Sequence, residues 1–149
     1  MERSEYYQAD VGMFFGEKKL EQTLYERLFA RMEEAFPDAL VKVQKSQISF
    51  YHKHLFAAVS LPVRRKKDWP ERCVVVTIGL SYPLESPRAA VSVEPYPGRW
   101  TNHVLLAQEE EIDEALLAWL REAYDFALAK RGKKQAGAAL DKGAAAPVQ

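Results

Sequence analysis

Three clusters in this 149-residue chain carry side chains able to do chemistry. His52, Lys53 and His54 interrupt an alternating apolar and polar run, "SQISFYHKHLFAAVSL" at 46–61. Two imidazoles two positions apart share one face of a strand and could begin a metal site, but zinc needs further ligands. His103 and Cys73 are the only other soft donors, and no ligand spacing ties them to the pair. The simpler reading is a hairpin tip at Lys53, with no metal. Arg64, Arg65, Lys66 and Lys67 precede Trp69, a pattern that can grip phosphate and stack a base. A solvated loop explains it as well, and Lys42, Lys45 and Lys53 could extend the patch. Arg99, Trp100 and His103 follow a Pro/Gly turn and offer a guanidinium fork, an aromatic plane and an imidazole for an anionic or planar ligand.

Other candidates carry less. Glu109, Glu110, Glu111, Asp113 and Glu114 point in different directions around a helix, so they suit the positive end of its dipole better than a hard cation. Ser46, Ser49 and Ser60 have no base at a recognisable spacing. No Gly-x-Ser-x-Gly elbow, phosphate loop or dinucleotide fingerprint occurs, so no catalytic residue and no cofactor is assigned.

The elements that must position these residues follow from periodicity. Leu20, Leu24 and Leu28, broadened by Tyr25, Phe29 and Met32, predict a helix over 18–36, stopped by Pro37. Period-two patterns predict strands over 40–45, at Ile48–Phe50–His52 and at Leu55–Ala57–Val59–Leu61. Three more are predicted at Val74–Val76–Ile78–Leu80, around Val91 and Val93, and at Trp100–Asn102–Val104–Leu106. Ile112, Leu116, Trp119, Ala123 and Phe126 predict a second helix over 109–131. Residues 1–16 show short-range aromatic character only. The low-complexity segment 132–149 reads as a flexible tail beyond a single domain at 1–131.

Strands in a run bracketed by helices give an α+β fold: a mainly antiparallel sheet of about five or six strands with both helices on one face. Trp119, Ile112, Leu116, Leu24 and Leu28 are expected to pack against Ile48, Phe50, Val76 and Ile78. The opposite face would carry Ser49, Tyr51, Ala58 and Ser60, then Thr77, Ala90, Ser92, Thr101 and His103, and would stay open. Equal counts of 21 basic and 21 acidic residues exclude a whole-molecule basic field. A single cysteine excludes an intrachain disulfide and fits a reducing, cytoplasmic setting. The polar start "MERSEYYQAD" does not read as a signal peptide, and no apolar run approaches the roughly 18 residues of a membrane span.

Four stretches carry a resemblance. "FFGEKK" (14–19), "KSQISFYHKHLFAAV" (45–59), "GRWTNHVLL" (98–106) and "EIDEALLAWLREAY" (111–124) stand in an order and spacing that resembles the bacterial family named Domain of Unknown Function 5655. The resemblance runs from about Phe14 to Tyr124. It implies a fold and a set of matching positions: Lys45, Ile48, Ser49, Phe50, Phe56, Ala57, Trp100, Asp113 and Trp119, most of them structural. It implies no established catalytic residues. Many relatives carry an N-terminal Cys/His segment that looks zinc-binding, and this chain lacks it. Longer proteins labelled predicted transport proteins can end in a similar domain. The expected function is a non-catalytic binding or interaction module. Lys45, Ser49, Tyr51, Arg99, Trp100 and His103 would bind a small ligand, a peptide or a second copy as a homodimer. The alternatives are a nucleic-acid module acting through the 64–67 loop and a small enzyme joining His103 to a carboxylate.

Overall fold

The computed structural model describes residues 1–129. The tail expected over 132–149, and residues 130–131 of the helix predicted over 109–131, lie outside the described residues. Two helices, α1 (Tyr7–Phe15) and α2 (Lys19–Ala35), precede six strands. These are β1 (Leu40–Val43), β2 (Ile48–His52), β3 (His54–Ser60), β4 (Val74–Leu80), β5 (Ala89–Tyr96) and β6 (Arg99–Leu106). A short 3-10 turn at Glu109–Glu111 then leads into α3 (Glu114–Ala129). The sheet order is β1-β2-β3-β4-β6-β5 with every neighbouring pair antiparallel. The fold is therefore α+β, as the periodicities predict.

The elements differ from expectation in two places. Residues 7–15 form a helix where the sequence shows only aromatic character. Tyr7, Val11 and Phe15 recur every four residues and are buried, but nine residues are too few to display a convincing helical period. The predicted 109–131 helix is broken near its start. Glu111 Oε1 accepts from the backbone N–H groups of Ala107 and Gln108, which closes the 3-10 turn. Asp113 Oδ1 accepts from the Leu116 N–H at 3.0 Å and caps α3.

Paired residues point to the same face, so the register sorts every side chain. The helix face carries Val41, Ile48, Phe50, Val59, Val76 and Ile78. These pack in one buried cluster with Leu24 and Leu28 of α2 and Leu116 and Leu120 of α3. The expected packing holds, with Trp119 only partly buried against the edge of this cluster. That residue lies at the rim of the core with the Arg88 guanidinium 5.5 Å from its ring.

The register corrects two further expectations. A bulge aligns Phe50 with Ala57 but Tyr51 with Leu55, so Phe56 is an extra residue in β3. Phe56 enters the core at 2 % exposure, and Leu55, expected beside Ala57, turns to the other face. On β5, Ser92 pairs with Asn102 on the helix face, while Val91 and Val93 pair with His103 and Thr101 on the outer face. The expectation for Ser92 is thus inverted, because β5 carries bulges at both ends and its alternation alone does not say which set faces in.

Asn102 explains that inversion energetically. It is fully buried. Its amide donates to the carbonyls of Ile78 and Tyr82, and its oxygen accepts from the Leu84 N–H and the Ser92 hydroxyl. All four of its hydrogen-bonding capacities are used, which ties the 81–88 loop and β5 to the centre of the sheet.

Candidate functional site

The outer face is built in cross-strand rows. One row runs Lys42–Ser49–Ala58–Thr77–His103–Val91 through all six strands. Ser49, Ala58 and Thr77 are buried in its centre, and the neighbouring Tyr51, Leu55 and Leu105 are half-exposed. A furrow of small side chains thus lies between taller ones. None of these residues belongs to the cluster that the helices bury.

The expected site residues do not all meet. Lys45 is exposed in the turn between β1 and β2. Ser49 is fully buried, and its hydroxyl donates to Gln44 and accepts from Gln47 Nε2 at 2.8 Å. It secures that turn rather than presenting a free hydroxyl. Tyr51 is half-buried with the Lys42 ammonium 5.5 Å from its ring. His103 lies three strand spacings from Ser49 along the same row, about 14 Å. Its Nδ1 is 2.9 Å from the Thr77 hydroxyl. Burial pushes its pKa below the ordinary histidine value, which favours the neutral ring. No carboxylate hydrogen-bonds His103 among the described residues, and Thr77 is only 2 % exposed, so this hydroxyl–imidazole pair has neither an orienting acid nor open access.

Arg99 and Trp100 do meet, at a cavity that sequence reasoning missed. The ladder between β3 and β4 covers only Ala57–Ser60 against Val75–Ile78. The bulge at Phe56 ends the pairing there, while Gly79 and Leu80 continue to pair with Thr101 and Trp100 on β6. The sheet splits between Leu55 and Gly79. A cavity of about 40 Å³ fills the split, and Arg99, Trp100, Tyr96 and Phe126 also line it. Half-buried Arg99 sits 5.9 Å from the Phe126 ring centroid. It pairs with no carboxylate among the described residues. No sequence signal marks a bulge of this kind. Gly79 inside a strand of Val and Ile is the one hint.

The remaining motifs resolve into structure. His52 and His54 pair across a tip formed by Lys53, whose φ of 71° is left-handed. His52 lies flat on Tyr124, 3.9 Å between centroids with planes 9° apart, so α3 uses this imidazole as a packing surface. Among the described residues no three His, Cys, Asp or Glu side chains converge as metal ligands would. The 64–67 loop is exposed, with Arg65 donating to the Trp69 carbonyl. Arg88, not singled out by sequence, grips Asp113 through two 3.1 Å contacts and donates to the Glu111 carbonyl. The Leu116 N–H, followed by Arg88, holds the Asp113 carboxyl below its ordinary pKa.

A family model described as a domain of unknown function (DUF5655) matches residues 13–127. The chain belongs to that family. The match spans α2 through most of α3 and so takes in all six strands, while most of α1 precedes it. No curated protein and no solved structure matches this DUF5655 chain. No helix among its described residues is long and apolar enough to cross a membrane.

Proposed function

We propose that this DUF5655 chain is a non-catalytic binding module of the bacterial cytoplasm, and that its outer sheet face receives a small ligand or peptide, or a second copy of the chain. The observation that carries the reading is the furrow itself. Its small side chains, Ser49, Ala58 and Thr77, lie outside the helix-packed core, with partly buried Tyr51 and Leu55 to one side and Leu105 to the other. A shallow concavity walled by larger side chains, on the face opposite the helices, offers a surface that a ligand or partner can fill. Lone Cys73 supports a reducing compartment.

Amide-resolved NMR on the full chain, titrated with a small-molecule fragment set, tests the reading, with sedimentation over a range of concentrations for the second copy. Ligand-induced shifts are expected at Tyr51, Thr77, Gly79 and His103. Shifts confined to α1 and α2 would overturn it.

One observation favours nucleic acid as a second reading. Ile48 pairs with Val59, so the turn holding Lys45 and the loop holding Arg64–Lys67 lie at the same end of the sheet. Glu109–Glu111 follows β6 at that end too, since Leu106 pairs with Val74, and opposes the basic field. Single-strand binding that falls steeply with salt and is lost on replacing Arg64–Lys67 with Ser would favour this second reading.

A further inference from the structure

We infer that the split between β3 and β4 is a binding slot for a small monocarboxylate bearing a short branched apolar group. This deepens the binding-module reading of the outer face and rests on it. Three features converge. The first is size. A volume of about 40 Å³ holds two or three waters, or the end of one short side chain, and is far below the ~300 Å³ of a drug-sized pocket. The slot therefore takes one group of a ligand and not a whole cofactor. The second is chemistry. Leu55, Leu80, Trp100 and Phe126 make the walls apolar, so the group that enters is apolar.

The third feature is charge. Arg99 lines the same slot. Half-buried, it has an aromatic ring as its neighbour and no carboxylate partner among the described residues. A guanidinium so placed has donors to offer and matches a carboxylate in two-pronged geometry. The cation and the apolar slot stand side by side, which selects a ligand with its carboxylate next to a short hydrocarbon branch. A long chain does not fit, and a neutral hydrocarbon leaves the cation unanswered.

Gly79 keeps the slot open. A Cβ built there meets only the Phe56 carbonyl oxygen, at 3.7 Å, an ordinary contact. Its position in the register, opposite Thr101, aims that Cβ at the outer face where the slot begins. Valine at 79 would then be tolerated by the strand and would place two methyl groups in the space the ligand needs.

The test is a titration of the full chain with isovalerate, followed by amide NMR, with isovaleramide and acetate as partners that lack the charge or the branch. Saturable shifts at Leu55, Gly79, Arg99 and Thr101 are expected with isovalerate. About tenfold weaker binding is expected for isovaleramide and for Arg99→Gln, the loss of one charge-assisted contact. Acetate should bind weakly, and Gly79→Val should abolish binding while its spectrum stays folded. Should Gly79→Val fail to fold, the isovaleramide comparison on the unaltered chain still decides. No saturable shift at these residues overturns the slot, as does equal binding of acid and amide. Saturable shifts along Ser49–Ala58–Thr77 that leave Gly79 unmoved overturn the slot and keep the outer-face reading. Shifts confined to α1 and α2 overturn both.

Discussion

The two faces of one sheet are made from the same strands and the same turns, yet they are organised for different ends. On the helix face, Ile48, Val59, Val76 and Val104 stand side by side, each at 1 % exposure or less. On the outer face the neighbouring row is Ser49, Ala58, Thr77 and His103. Large branched side chains gain most from removal of water, while small polar ones gain little and leave a furrow. The contrast teaches where stability resides and where it has been left unspent. It also exposes two polar residues that behave oppositely. Asn102 belongs to the helix face and has every hydrogen-bonding capacity met. His103, one residue on, turns outward with Thr77 as its hydrogen-bond partner.

The comparison breaks most plainly at the core. Phe56 touches the Phe36, Phe50 and Tyr124 rings and is 2 % exposed. Phe56→Ala should cost about 3–5 kcal/mol in urea unfolding. A loss near zero would mean that the bulge does not send this residue inward. Asn102→Ala comes next. It strands a buried N–H and two carbonyls, each worth about 1–3 kcal/mol when left without a partner, although local relaxation and water reduce the sum to about 3 kcal/mol. A loss below about 1 kcal/mol would show that the 81–88 loop is not anchored at this residue.

A smaller effect is expected from pH. The folded-state pKa of His103 is depressed by burial, so the unfolded chain binds a proton that the folded chain resists. Its contribution is fully present above the unfolded value of about 6.5 and is lost as pH falls toward the folded value. His103→Gln should flatten the stability profile over that window, measured by thermal unfolding at a series of pH values. An unchanged profile would mean that the ring is open to water on the outer face.

How much of this was legible in the residues depends on where local pattern meets tertiary geometry. The helix-face set of β2 and β4 could be read directly, because one parity is large and apolar throughout. The α2 and α3 stripes were legible at Leu24, Leu28, Leu116 and Ala123, while Leu20 is exposed and Trp119 and Phe126 are only partly buried. The α1 helix was not, since its three buried side chains span little more than two turns and its partners, Tyr25 and Phe29, lie in another element. The site was legible only in part. Arg99 and Trp100 were recognisable by type, and the structure brings them together at the split. Ser49 and Lys45 belong to a turn at one end of the sheet, a separation that no alternation pattern encodes. The split depends on a one-residue bulge, and a bulge changes which atoms face inward without changing composition.

The smallest effect tests that point best. Leu55 and Phe56 are adjacent, apolar and of comparable burial propensity. Unbroken alternation would put Leu55 in the core beside Ala57 and turn Phe56 outward. The register does the reverse: Leu55 pairs with Tyr51 on the outer face and is half-exposed. Leu55→Thr keeps a branched, strand-compatible side chain at a position that is partly buried and outside the core cluster. It should change the unfolding free energy by about 1 kcal/mol, well under the effect of Phe56→Ala. Urea unfolding of both variants side by side settles the order. Losses of equal size would mean that both residues are core and that the sheet is not split here. A larger loss at Leu55 would restore simple alternation and close the slot.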